Sequence, residues 1–378
     1  MGKFNLFKSL ACGAVAAAVF AAGAVTPLPA NAADSVAKFY KGKRVRVIIS
    51  TSPGGGYDLY ARFTTRHMAK FIPGNPKMVA QNMPGAGHRR AAQYLAYKAK
   101  RDGSVIATIS QGLPFAQIVW PKKHKKIDSS KFIWVGNVNE GNNVLMLWHT
   151  TGIKSWKDLK KKQIIIGGTG AGSTSGQYPR AMNNILGTKM KIILGFAGGS
   201  QMNLAMERGE LDGRGSNAWA SIKGITPQYM KANQLILPVQ MGLERAVDLP
   251  TVPLIWELGK NEAEVRVLKL MTMASRIGRP ILTPPGVPAA RVAALRAAFD
   301  AATSSDAFIN EAKRRKLEIN PVSGIVVQQV VQQILSTPDD IVRLARAAVT
   351  KGAVFKCKAL AKNKKMCKKK KKKKKKKK

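Results

Sequence analysis

Between Asp34 and Val349 the hydrophobic positions change period again and again. Short β-branched runs alternate with longer stretches in which apolar residues recur every three or four positions, the pattern of an α/β protein with largely parallel sheets. Arg44-Val45-Arg46-Val47-Ile48-Ile49 reads as a strand, followed by Ser52-Pro53-Gly54-Gly55-Gly56 and a helix over about 58–71 with Leu59, Phe63 and Phe71 on one side. A second strand near Met78–Gln81 runs into Pro84-Gly85-Ala86-Gly87, and a helix over about 88–100 buries Ala92, Leu95, Ala96 and Ala99. Val105–Ile109 is a third strand, ending at Ser110-Gln111-Gly112.

After the apolar run Phe132–Val138 a fresh series begins. Gln163–Ile166 is a strand that leads through Gly168-Thr169-Gly170-Ala171-Gly172-Ser173-Thr174-Ser175 into a helix over about 176–186. Met190–Phe196 is the next strand, ending at Gly198-Gly199-Ser200, with a helix over 201–208 behind it, and Leu235–Leu237 is a further strand. Met271–Ile277, Pro284-Pro285-Gly286-Val287-Pro288 and an amphipathic helix over about 289–303 read as a return to the first unit. No sequence repeat accompanies the two series.

Both ends differ from this body. Lys3 and Lys8, an uncharged Ala- and Val-rich run from Leu10 to about Val25, and Ala30-Asn31-Ala32 form an export signal with cleavage expected near Ala32. No later run is long and apolar enough to span a membrane, so a periplasmic protein is expected. At the other end, residues 351–378 hold 17 lysines and no acid and finish in eleven consecutive lysines. Self-repulsion without an apolar period predicts an unfolded tail. A solvated tail with no selected role, or a homopolymeric coding tract, accounts for it more simply than binding to lipid, nucleic acid or a cell-wall polymer.

The whole chain carries 64 basic against 20 acidic side chains, a net +44 over 378 residues. Without the signal and the tail, 45 basic side chains still face those 20 acids, which fits an anionic partner without identifying it. Three cysteines and four histidines, none clustered, exclude a disulfide scaffold and offer no zinc spacing. Neither a metal nor a cofactor is expected.

The recurring device is a strand, a glycine-rich turn and a helix start, at 52–58, 84–88, 168–175 and 198–201. Glycine allows positive φ and close backbone approach, and the first helix amides point outward with the positive end of the helix dipole. Such corners hold anions, and in open α/β sheets ligands gather at the carboxyl ends of strands. Enzyme motifs fail: G-x-G-x-x-G is incomplete at 168–173, Ser173 and Ser175 lack a G-x-S-x-G frame, and there is neither a P-loop nor H-E-x-x-H. His67, His88, His124 and His149 read as surface or capping residues, and Asp58 as a residue that stiffens its turn or meets a ligand ammonium.

Taken in order, Pro53-Gly54-Gly55-Gly56-Tyr57-Asp58 with Ala61-Arg62, Asn82-Met83-Pro84-Gly85-Ala86-Gly87, Gly168–Ser173, Met206–Gly213 and Pro284–Pro288 resemble the Bug-type substrate-binding receptors of tripartite tricarboxylate transporters. The resemblance runs from about Tyr40 to Ala348. It implies a two-lobed, type II periplasmic binding protein with two interlobe crossings, which takes a small carboxylate into its cleft and passes it to an integral-membrane permease. Lobe one would comprise residues 33–137 and 250–350, and lobe two residues 138–249.

The implied ligand-binding residues are Ser52, Gly54, Gly55, Gly56, Tyr57, Asp58 and Gln111 from lobe one. Gly170, Ser173, Thr174, Ser175, Gly198, Gly199 and Asn217 face them from lobe two. The chain departs from the family at Tyr57, where Thr is frequent, at His88-Arg89-Arg90, where small residues are usual, and at Arg214. A monomeric receptor for a small organic acid anion is the reading adopted, with no nucleic-acid partner and no catalytic residue. A cationic surface- or polymer-binding protein and an exported enzyme on the same fold are the alternatives. The first would lose affinity with salt and with residues 362–378, and the second would need a titrating residue in the cleft.

Overall fold

The computed structural model describes residues 30–353 and 355–369. The expected signal segment, but for its last residues, lies outside the described residues, as does the lysine run from 370 onward. A helix, Ala30–Tyr40, occupies the expected cleavage region and leads into the body.

The first four strands are β1 (Arg44–Ile49), β2 (Lys77–Asn82), β3 (Val105–Thr108) and β4 (Ile133–Asn137). The second series supplies β5 (Asn143–Trp148), β6 (Ile164–Gly168), β7 (Met190–Leu194), β8 (Gly213–Ala218), β9 (Leu235–Ile236) and β10 (Gln240–Met241). β11 (Pro280–Thr283) and β12 (Val322–Ser323) complete the set. Two sheets result, ordered β12-β4-β11-β3-β1-β2 and β10-β5-β8-β6-β7, with β9 also on β5.

Strand alternation explains how the layers form. In β1, Val45, Val47 and Ile49 face a core shared with Tyr60, Phe63 and Phe299, while Ile48 faces the opposite core with Ala91 and Leu95. β5 divides the same way, Val144 and Met146 to one side and Leu145 and Leu147 to the other. Both faces are therefore covered, as parallel sheets require. β1 pairs parallel with β2 and β3, and β6 with β7 and β8. The sheets are nevertheless mixed: β11, β12 and β5 pair antiparallel, because they arrive by a crossing or a return loop instead of a βαβ turn.

The chain passes from the first sheet to the second between Asn137 and Asn143 and returns between Met241 and Pro280. Asn137 ties both passages together: its Oδ1 accepts from the amides of Asn139 (3.0 Å) and Arg279 (2.8 Å), and its Nδ2 donates to the Arg276 carbonyl (3.1 Å). One apolar core bridges the two sheets on the far side. The helix Asp339–Val349 packs on the helix Thr174–Ala181, with Asn184 Nδ2 donating to Ala348 O (2.9 Å), and Tyr178 OH donates to Met271 O (3.1 Å). Much of 250–350 thus touches the second unit as well as the first.

The tail differs from expectation. Up to Lys369 it is held on the body: Cys357 and Cys367 form a disulfide, Ala361 and Met366 are buried, and Lys369 makes an antiparallel bridge with Asn261. Too few apolar residues stand among the lysines to give a period, so the sequence pattern did not reveal this docking.

Gly136 in β4 lies where the helix Ala289–Ser304 crosses, and a Cβ there would stand 2.2 Å from Cε1 of Phe299. Gly136→Ala is expected to cost about 1–3 kcal/mol through overpacking. A melting temperature that falls, and recovers in part with Phe299→Leu, checks it; an unchanged melting temperature contradicts it.

Candidate functional site

The carboxyl ends of β1, β2 and β3 meet those of β6, β7 and β8 across a narrow crevice. The glycine corners make the contact. A Cβ on Gly55 would lie 3.3 Å from Gly199 N, and one on Gly170 would lie 2.6 Å from Gly87 Cα, so backbone meets backbone, tightly at Gly55 and with no room for a side chain at Gly170. Ser52 N donates to Ala197 O (3.0 Å), Ser200 Oγ to Pro53 O (2.9 Å) and Gln177 Nε2 to Gly112 O (3.2 Å). The two lobes are closed on each other.

Between them lies a polar cavity of about 50 Å³. Thr51, Gly55, Gly56, Tyr57, His88, Gln111 and Arg279 line it from the first sheet's side. Asn143, Thr169, Ser173, Thr174, Ser175, Gly199, Met202, Arg214, Ser216, Asn217 and Ala218 line it from the second. The structure thus brings nine of the fourteen sequence-predicted residues to one wall. Gly54 borders a smaller adjoining void shared with Gly55, Gly199 and Arg214. Ser52, Gly170 and Gly198 lie just outside, in the contacts that join the lobes. Asp58 turns away: its carboxylate accepts from Gly54 N (3.1 Å), Arg62 Nε (2.8 Å) and Asn82 Nδ2 (2.8 Å), so it stiffens the first turn.

A chain of hydroxyls runs around the wall. Ser173 Oγ donates to Gly170 O (2.8 Å) and lies 2.9 Å from Ser175 Oγ, which accepts from Thr169 N (3.0 Å). Thr169 Oγ1 meets His88 Nε2 at 3.3 Å, and His88 Nδ1 meets Ser50 Oγ at 2.8 Å, so this imidazole joins the two lobes. His88 holds a left-handed backbone (φ 73°), a conformation that a non-glycine residue adopts at some cost. Burial, and then the charge of Arg279, push its pKa down to about 4, leaving a neutral ring at pH 7.

Two residues that the sequence reading did not select dominate the electrostatics. Arg214, in β8, and Arg279, just ahead of β11, are 8% and 5% exposed, and neither has an ion-pair partner among the described residues. Arg214 donates to Asn203 Oδ1 (2.8 Å) and Arg279 to Ser221 Oγ (2.7 Å), while the Arg279 guanidinium stacks 4.4 Å over the Tyr57 ring. Burial and the proximity of Arg279 push Arg214 down to about 9. Arg214 Nε, Arg279 Nε, Asn143 Nδ2 and Thr51 Oγ1 are buried without a hydrogen-bond partner among the described residues, and all four residues line this cavity. The signal for Arg279 was its place between Gly278 and an apolar strand; that for Arg214 was a charge inside a segment otherwise built of small residues.

A larger concavity, about 1030 Å³, lies outside between the helix Gly56–Met68 and β2. Its three arginines are already paired, Arg66 and Arg315 with Glu311 and Arg62 with Asp58, which makes it a weaker candidate. Among the described residues, no group of three His, Cys, Asp or Glu side chains could hold a metal, and no helix is long and apolar enough to cross a membrane.

No protein-family model matches the sequence, and no curated protein matches it. Solved structures do. The chain is similar to the periplasmic binding protein BugD, with a TM-score of 0.65 and 18% identity over 82% of this chain and 98% of that one. MatC from Rhodopseudomonas palustris, solved with bound malate, gives 0.63 and 21% over 79% and 99%. A second R. palustris protein, solved with adipate, gives 0.60 and 16% over 79% and 96%. The fold is that of the two-lobed, type II periplasmic binding proteins.

A Cβ at Gly56 would stand 2.2 Å from Ser221 Oγ and 3.0 Å from the Arg279 guanidinium. Gly56→Val is therefore expected to wedge the lobes apart with little loss of stability. Small-angle scattering should report a larger radius of gyration at an almost unchanged melting temperature; an undisturbed radius contradicts the closure geometry.

Proposed function

We propose that this chain is an exported solute receptor that closes on a small organic acid and presents it to a membrane permease of the tripartite tricarboxylate type. One observation carries the reading: two buried guanidiniums, without a carboxylate partner among the described residues, on the wall of one polar cavity between two lobes. A buried charge is strongly disfavoured until it is paired and hydrogen-bonded. An anion seated between Arg214 and Arg279 supplies that pairing, and Thr51, Asn143, the hydroxyls of Ser173 and Ser175 and nearby helix-start amides complete its shell.

Charge and size narrow the ligand. Two cations favour an acid with two carboxylates over one with a single charge, in line with the malate and adipate found in proteins of this fold. The cavity is far below the roughly 300–1,000 Å³ of pockets for drug-sized molecules, so a short-chain acid fits better than an aromatic one. The two arginines also come from opposite lobes and repel each other across the crevice. An anion that bridges them favours the closed form over the open one, which is the differential affinity that closure requires.

Calorimetry of the purified chain against a panel of short mono- and dicarboxylates tests the reading. A dicarboxylate should bind, and Arg214→Gln or Arg279→Gln should each weaken it by about 2–5 kcal/mol, the cost of breaking a buried charge pair. Equal affinity for neutral solutes, or undiminished affinity in either variant, would reject the proposal.

His88, neutral in the closed form down to about pH 4, should add no proton uptake to binding between pH 5 and 8. Since its pKa lies below the ordinary histidine value, the closed state loses stability as pH falls from about 6.5 toward 4, where the open or unfolded chain binds the extra proton. Calorimetry in buffers of different ionisation enthalpy should show proton release on binding as pH falls from about 6.5 toward 4, and none near pH 8; proton uptake in that window contradicts the placement.

A further inference from the structure

We propose that the lysine-rich C-terminal segment, closed on itself by the Cys357–Cys367 disulfide and packed on the body through Ala361 and Met366, is a docking surface for anionic phospholipid bilayer. The segment is a built part of the surface. The short helix Cys357–Leu360 and the turn Lys364–Cys367 are closed by the disulfide, Met366 is buried, and Phe355 and Leu360 pack against the same core. Its apolar residues therefore point inward and its lysines outward: all eight lysines between 351 and 369 are exposed, and none forms an ion pair among the described residues.

The neighbouring body surface has the same sign. Lys369 bridges to Asn261, next to Lys260, and burial first, then the charges of Lys260 and Lys157, hold Lys160 below its ordinary pKa. The acids in this region are engaged locally: Glu262 pairs with Arg266, and Glu264 accepts from Lys260 N and Asn261 Nδ2. The described chain thus ends in an uncompensated cationic patch, and the sequence adds nine further lysines from 370 to 378.

The chemistry favours a bilayer over a specific phosphate or nucleic-acid partner. The segment uses 17 lysines and no arginine, so it offers point charges without the planar fork that reads phosphates two bonds at a time. Exposed aromatics on which bases could stack are missing from residues 355–369, where the one aromatic, Phe355, packs inward. Clusters of about four to eight lysines suffice for attraction to a smeared anionic lipid surface. The inference does not depend on which solute fills the crevice.

The test uses the full chain, disulfide intact, with vesicles of phosphatidylcholine alone or with about one third phosphatidylglycerol. The protein should sediment only with the second kind, and partition should fall about tenfold or more when salt rises to roughly 0.5 M. Changing the sixteen lysines from 356 to 378 together to Gln should weaken partition about tenfold or more at an unchanged melting temperature. Arg at the same positions should restore it. Equal partition to both vesicles, full binding by the Gln variant, or tighter retention by a lipid-free polyanion such as polyphosphate at equal salt would overturn the proposal.

Discussion

Like charges held apart by nothing but protein are the constraint around which this molecule is arranged. Arg214 and Arg279 reach one cavity from opposite sheets, each anchored by a neutral partner, Asn203 or Ser221, that fixes direction without cancelling charge. An asparagine and a serine are weak company for a guanidinium, and Tyr57 adds only the attraction of a ring face. The glycine corners serve the same end differently: by admitting backbone against backbone at Gly55–Gly199 and Gly87–Gly170, they let the lobes come close enough for both cations to share one space.

Much of the fold was legible because period and punctuation agree. β1, β2, β3, β6 and β7 and the helices after them were readable from β-branched runs, glycine turns and apolar spacing. β5, β8 and β11 were not, for a physical reason. β8 reads Gly213-Arg214-Gly215-Ser216-Asn217-Ala218, small and polar because it lies under the helix Thr174–Ala181, where a Cβ on Gly215 would come 2.2 Å from Ser175 O. A strand selected for close approach carries no strand signature.

The site was legible to the same degree and for the same reason. Turn geometry marks Gly55, Gly56, Ser173, Ser175 and Gly199, since glycine and hydroxyl residues are local signals. Arg279 and His88 come to the cavity through tertiary packing: one through the return crossing, the other through a left-handed residue at a helix start. Asp58 shows the converse, a residue prominent in its motif whose carboxylate is used up within its own turn.

The side chain of Asn137 has a mechanical consequence. Because it bonds both connecting segments at once, alongside Val138 N to Arg279 O and the Arg276–Glu140 ion pair, the two linkers are coupled to each other. Arg279, whose own amide is held there, belongs to the coupled linkers, whereas Arg214 stands in a strand of the second sheet, so the two charges are anchored on opposite sides of the joint.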